Sequence, residues 1–265
     1  MTEYLASDSL LFGHYQEIGV NYEEAPREWS GWINFDGNGT MYVFGYGSLT
    51  KPGSVAAELN RAVNRDEMIP AELRGWRRAW NVGSDKYSHP ERTIYKPDGS
   101  VFDGVVAVLG LVQGAANAHC NGAVFSVSSE DLAKLDARER NYRRIDVTQA
   151  VTFRGKPDDC VVFVYVPRVE AMERLERALR GPNRRPTAIR KAYVDQTRAG
   201  FSLMGERELR QFDADPIPNI DIHDLRFEYK ASGIRDVDDR TDGPEPQAAV
   251  AVTAPHPGPG RNGAT

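Results

Sequence analysis

Apolar positions change their spacing several times along the chain, and each change marks an element. Residues 42–44 form a short apolar run stopped by Gly45, which predicts a buried strand. In the "PGSVAAELNRAV" that follows, Val55, Leu59 and Val63 recur at helical spacing behind Ser54, predicting a helix capped by that serine. "AELRGWRRAW" reads as a strand, "VFDGVVAVLGLV" as a β-branched run fit for a buried strand, and "GAVFSV" as a third. Helical spacing returns in "SSEDLAKLDARERNY", opened by Ser128 with Asp131 three residues on, a capping box with Asp in place of Glu. "RIDVTQAVTF" sets Ile145, Val147, Val151 and Phe153 at strand-like spacing, and "CVVFVYVP" is a strand stopped by Pro167. "EAMERLERALRG" predicts a helix ending at Gly181, and "PTAIRKAYVDQTRAGFSLM" another starting at Pro186.

The flanks differ from this middle. From Ala231 onward the chain is rich in Pro, Gly, Asp and Ala and has no aromatic residue or leucine, so it cannot bury enough apolar surface to offset its ordering entropy. A disordered tail over 231–265 is expected. Residues 1–40 carry Tyr15, Tyr22, Trp29 and Trp32, and this much aromatic surface predicts an extension packed on the main domain at 41–230. Strands in that domain outnumber the crossover helices a doubly wound parallel sheet requires. The expected class is therefore α+β, around a curled or barrel-like sheet.

Composition narrows the function classes. The 265 residues are 40% hydrophobic and 27% charged, enough to bury a sizeable core, and the net charge of −5 argues against general affinity for nucleic acid or an anionic membrane. Cys120 and Cys160, outside any CxxC pair, predict no disulfide framework and a reducing compartment. The acidic start and the lack of any apolar run near the ~20 residues needed to cross a bilayer point to a cytoplasmic protein. The five histidines show no metal-ligand spacing, so no metal is expected. Oligomeric state is not legible.

Two stretches are candidates for chemistry. In "VFGYGSLT", Gly45 and Gly47 begin a dinucleotide fingerprint, but Thr50 stands where the third glycine belongs, and no GK[ST] triplet follows for a P-loop. A plain turn and a loop that offers main-chain groups to a ligand both remain open. In "LDARERNYRR", Leu132, Leu135 and Glu139 fall on one helical face, so the Glu139 carboxylate would share a side that two leucines bury. Desolvation there would raise its pKa toward neutrality, as an acid or base needs. Alternatively Glu139 joins Arg138, Arg140, Arg143 or Arg144 in a solvated network. His119 beside Cys120 looks like a nucleophilic pair, but neighbours on a strand face opposite ways.

Together these stretches resemble the γ-glutamylcyclotransferase family, also called AIG2-like, which includes a glutathione-specific branch. "VFGYGSL" is similar to the family's YGSL motif, and "LAKLDARERNYRR", about ninety residues on, is similar to its LDxxE helix with a catalytic glutamate. The resemblance spans residues 41–167. It implies a closed mixed β-barrel with flanking helices, acting without a cofactor on a small γ-glutamyl substrate to release 5-oxoproline and an amine. Carried over by residue, it places the substrate loop on Val43, Phe44, Gly45, Tyr46, Gly47, Ser48 and Leu49, and the acid/base on Glu139. Tyr142, just past Glu139, would orient it, and Tyr46 would pack on the glutamyl chain, unless both are core aromatics. Residues 1–40 have no family counterpart, and the similarity fades beyond Pro167. "FGYGSL" is close to the glutathione-specific branch, whereas "LDARERNYRR" is closer to general cyclotransferases and to relatives that unmask γ-glutamyl-protected antibiotic intermediates. Which γ-glutamyl compound is used stays open.

Overall fold

The computed structural model describes residues 39–230, so the expectations for residues 1–38 and for the 231–265 tail lie outside the described residues. The strands are β1 (Met41–Gly45), β2 (Ile69–Arg74), β3 (Trp76–Ser84), β4 (Arg92–Tyr95), β5 (Val105–Gln113), β6 (His119–Val127), β7 (Tyr142–Asp146), β8 (Val151–Phe153), β9 (Val161–Pro167), β10 (Thr187–Arg190), β11 (Ile222–His223) and β12 (Arg226–Tyr229). Among the described residues five α-helices accompany them: α1 (Pro52–Leu59), α2 (Ser129–Arg138), α3 (Val169–Arg180), α4 (Lys191–Met204) and α5 (Glu206–Asp213). None of these is long and apolar enough to cross a membrane.

A six-stranded sheet runs β7-β9-β1-β6-β2-β8, a four-stranded sheet β11-β10-β5-β3, and β12 pairs with β4. The α+β class holds, but the expected closed barrel does not. Among the described residues no ladder joins the two larger sheets, which meet through side chains instead. The chain changes sheets at Gly75, where φ of 79° turns β2 into β3. "AELRGWRRAW" is accordingly two strands and not one. Leu73, Val124 and Val164 of the first sheet pack with Leu109, Leu111 and Ile189 of the second in one core.

β1 is the central strand that the site depends on. It pairs parallel with β9 and antiparallel with β6, and its alternate residues face two different cores. Phe44 faces the layer between the sheets, while Val43 packs with Val55, Leu59, Leu132 and Leu135 of α1 and α2 on the outside. A strand buried on both faces is a stiff base for the loop that follows it.

Local signals account for some of the helix ends. Ser128 accepts from the Asp131 N–H and the Asp131 carboxylate accepts from the Ser128 N–H, so the capping box opens α2 as expected. Gly181 ends α3. Two expectations shift. Ser54 is not a cap: Pro52 begins α1 after Lys51, and Ser54 is buried, accepting a hydrogen bond from Gln196. "TAIR" is β10, not helix, because its backbone extends the sheet beside Val105–Ala107 of β5, and α4 starts only at Lys191.

Candidate active site

The loop after β1 is shaped by what surrounds its glycines. A Cβ on Gly45 would lie 2.6 Å from the Leu49 carbonyl oxygen, so the chain can fold back here only on a glycine. One on Gly47 would lie 2.8 Å from the Tyr193 hydroxyl of α4 and 3.7 Å from Leu109 of β5. The loop's carbonyls are engaged. The Thr50 N–H and hydroxyl both donate to Gly47 O, at 3.0 and 2.8 Å, Lys51 N–H donates to Ser48 O at 3.3 Å, and Arg78 Nε donates to Tyr46 O at 2.7 Å. Ser48–Thr50 is a single 3-10 turn, and the first N–H groups of such a turn have no acceptor within it, so its amide edge is the one suited to an incoming ligand.

Arg78, which the sequence reading passed over, is the buried prop behind this loop. It donates to the Asn121 carbonyl and side-chain oxygens, pairs with Asp215, and lies 4.7 and 5.0 Å from the Phe201 and Phe212 ring centres. The signal was an arginine at a strand position whose neighbours, Ala79 and Trp80, are buried.

Glu139 is the residue at which α2 stops. Its N–H still donates to Leu135 O, while its φ of −81° and ψ of 47° leave the helix and its carbonyl accepts from the Tyr142 N–H at 2.9 Å. Leu132 and Leu135 are buried, and the Glu139 side chain beside them is only 13% exposed. Burial pushes its carboxyl above the ordinary glutamate value; Arg138 opposes the shift and the Glu58 carboxylate adds to it.

One guanidinium gathers this corner. Arg138 Nη1 is 3.5 Å from Glu139 Oε1, its Nε is 3.3 Å from Glu58 Oε1 on α1, and Nη2 donates to Ser48 Oγ at 3.3 Å. The solvated network considered from the sequence is thus realised only in part. Arg140 pairs with Glu91 and Arg144 with Asp136, both at 3.1 Å, away from Glu139.

Three tyrosines complete the surroundings. The Tyr46 hydroxyl donates to Tyr165 O and the Tyr142 hydroxyl to Leu109 O, both at 2.7 Å. Leu109 can accept because β3 bulges opposite it: Ala79 pairs with Gly110 and Val82 with Val108, so Trp80 and Asn81 together face Leu109 alone. Tyr193, also missed from the sequence, stands edge-on to Trp80 with ring centres 5.9 Å apart. Burial above all, with the Glu139 charge contributing, raises all three hydroxyls, Tyr193 to about 12. They remain neutral donors near neutrality.

The structure therefore brings Tyr46, Gly47, Ser48, Glu139 and Tyr142 to one corner. The side chains of Val43, Phe44 and Leu49 belong to the cores, leaving only their backbones to meet a ligand. His119 is exposed and pairs with Glu72 at 2.8 Å, while Cys120 is buried, so these two are not a nucleophilic pair. A cavity of about 70 Å³ lies beyond Leu109, lined by Arg78, Trp80, Val194, Phe212 and Asp215 among others. It contains neither Glu139 nor the glycine loop, and its two arginines, Arg78 and Arg198, are paired with Asp215 and Asp213. The chemistry is better sought at the glutamate.

Comparison with known proteins follows the same residues. The family model described as γ-glutamyl cyclotransferase, AIG2-like, matches residues 43–181, which include both the glycine loop and Glu139. Among solved structures, one named γ-glutamyl cyclotransferase is 14% identical, with 68% of this chain and 90% of that one covered and a TM-score of 0.42. YkqA from Bacillus subtilis is 15% identical, with 66% and 53% covered and a TM-score of 0.40. A yeast γ-glutamyl cyclotransferase specific to glutathione is 16% identical, with 69% and 90% covered and a TM-score of 0.34. At these scores the structural likenesses carry no argument about substrate. No curated protein matches the sequence. The family match covers more than half of the 265 residues, and on that ground the chain belongs to the γ-glutamyl cyclotransferase, AIG2-like family.

Proposed function

We propose that this protein closes a γ-glutamyl amine or γ-glutamyl peptide on its own α-amine, giving 5-oxoproline and the free amine, with Glu139 carrying the proton. The observation that supports this most is the desolvated Glu139 carboxyl standing at the same corner as Gly47 and Ser48 of the glycine loop, bridged to it by Arg138.

The chemistry asks little more. Nucleophile and electrophile share one molecule, so the site has to hold a folded conformer and manage protons. An α-amine with a solution pKa of about 8 is mostly ammonium at neutral pH and cannot attack. Glu139 takes its proton; the amine nitrogen then bonds to the γ-carbonyl carbon, and the carbonyl oxygen takes up negative charge. Amides of residues 45–49 are suited to stabilise that oxyanion. As the C–N bond to the leaving amine breaks, Glu139 returns the proton to the departing nitrogen, and the ring nitrogen, cationic since the attack, gives up its second proton, which the released amine carries off as ammonium. Tyr142 and Tyr193, anchored around Leu109, hold the wall on which the glutamyl chain lies. The working unit in this reading is 41–230, since β12 still pairs with β4 well beyond the end of the family match.

The test is incubation of the purified protein with a panel of γ-glutamyl amines, amino acids and glutathione, following 5-oxoproline by mass spectrometry. Turnover of at least one member is expected. Tight binding without any product would make this a binding protein on the same fold.

A further inference from the structure

Arg138 has a donor without an acceptor. Its Nη1 is buried and has no hydrogen-bond partner among the described residues, although it lies 3.5 Å from Glu139 Oε1. The rest of the guanidinium is held. Glu58 takes the Nε edge and Ser48 Oγ accepts from Nη2, and with these two contacts made Nη1 is turned toward the glutamate. A buried N–H on a cation left without an acceptor is costly, and it marks a place for an anion.

We propose that Arg138 Nη1 binds the α-carboxylate of the γ-glutamyl group, beside the α-ammonium that Glu139 deprotonates. This rests on the reaction proposed above. An α-amino acid carries its ammonium group and its carboxylate group on a single carbon, which holds the nitrogen and the carboxylate oxygens at a separation close to that between Glu139 Oε1 and Arg138 Nη1. The two side chains present opposite charges in the arrangement needed to read that head group: carboxylate to ammonium, guanidinium to carboxylate. Adjacent positions at the end of α2 supply both, Ser48 ties the pair to the glycine loop, and Glu58 balances the arginine while the site is empty. Selection for a free α-amino acid head, and against a simple 4-aminobutanoyl amide, follows directly.

The experiment compares a γ-L-glutamyl amide with the 4-aminobutanoyl amide of the same amine, which lacks only the carboxylate and would cyclise to 2-pyrrolidinone. The amine is the one turned over fastest in the panel, or methylamine if none is. Affinity is measured by calorimetry and turnover by mass spectrometry, on the wild type, Arg138→Met and Arg138→Lys. Wild type should favour the γ-glutamyl amide by about 10- to 10²-fold, the range of a hydrogen-bonded charge. Arg138→Met should erase that preference by weakening the γ-glutamyl amide alone, and Arg138→Lys should retain part of it, which covers the case in which the methionine variant does not fold. Equal affinity of wild type for the two amides, or an equal loss on both in the variants, overturns the inference, even with turnover intact. Discrimination without turnover upholds Arg138 as a binding residue and removes the proposed reaction.

Discussion

Two nearly buried carboxylates in this fold are treated in opposite ways. Asp85, at the end of β3, is met by Arg185 at 2.7 Å and Arg174 at 3.6 Å, and its Oδ1 accepts from the Tyr87 and Ser88 N–H groups at 3.1 and 3.0 Å. Burial works to raise its pKa, but Arg185, the backbone donors and Arg174 outweigh it, and the carboxyl titrates below the ordinary aspartate value. Glu139 has one guanidinium at 3.5 Å, and that cation is shared with Glu58. Its carboxyl titrates above the ordinary value. Burial alone does not decide which way a carboxylate moves; the number of cations and backbone N–H groups turned toward it does. Asp85 is arranged to stay ionised and tie β3 to α3 and the chain before β10. Glu139 is left with a raised pKa, as the proposed proton carrier requires.

The sharpest way to break this contrast is to neutralise each carboxylate without changing its size. Glu139→Gln should lower turnover by about 10²- to 10⁴-fold, as for a lost general base, and leave thermal stability nearly unchanged. Asp85→Asn should do the reverse, costing about 2 kcal/mol of stability because two guanidinium groups lose their counter-charge, with turnover kept. Paired turnover assays and melting curves on both variants check this; loss of activity in both alike would show that the two clusters do not differ in kind.

A smaller effect is expected in the loop. Gly47→Ala should displace the Tyr193 hydroxyl and raise KM, by up to ~10²-fold if the loop shifts by an ångström. Adding Tyr193→Phe removes the obstructing oxygen and should recover much of that loss. Steady-state kinetics on the single and double variants decide it. No recovery would mean that the Gly47 backbone, and not the space before it, is what matters.

Much of this site was legible in the sequence. The glycine turn after β1 and the capping box at Ser128 follow from local pattern alone; Glu139, expected on the buried face of the helix, stands just past its last residue, Arg138. What escaped were the residues that chain topology brings in. Tyr193 lies on a helix whose start was masked by β10, since "TAIR" becomes a strand only because β5 is beside it. The Leu109 backbone is usable only because of a bulge in a different strand. Arg78 props the loop from 32 residues away. Open sheets appeared where a closed barrel was expected because Gly75 passes the chain from one sheet to the other, and no local pattern reports which ladders then form.

The pH dependence sharpens the comparison by smaller steps. Removing the like charge in Glu58→Gln should lower the Glu139 pKa, so the acid limb of kcat/KM should move to lower pH; a limb that stays in place would exclude Glu58 from tuning it. Stability should respond with opposite signs at the two sites. The lowered Asp85 contributes stability present above its unfolded value, near 3.8, and lost as the pH falls through its folded value. The raised Glu139 contributes stability present below its unfolded value, near 4.5, and lost as the pH rises through its folded value. Denaturant titrations from pH 3 to 7 should therefore show Asp85→Asn losing less stability on acidification than wild type, and Glu139→Gln losing less as the pH rises.

The central claim, that the Glu139 carboxylate moves the proton, is tested most directly by the pH profile of single-turnover 5-oxoproline formation in wild type and Glu139→Gln. The account predicts that the wild-type rate falls on acidification with an apparent pKa above the ordinary glutamate value of 4.5, and that the variant is slower by at least about a hundredfold and has lost that limb. A variant with wild-type rates and the same acid limb would contradict it and take the proton from Glu139.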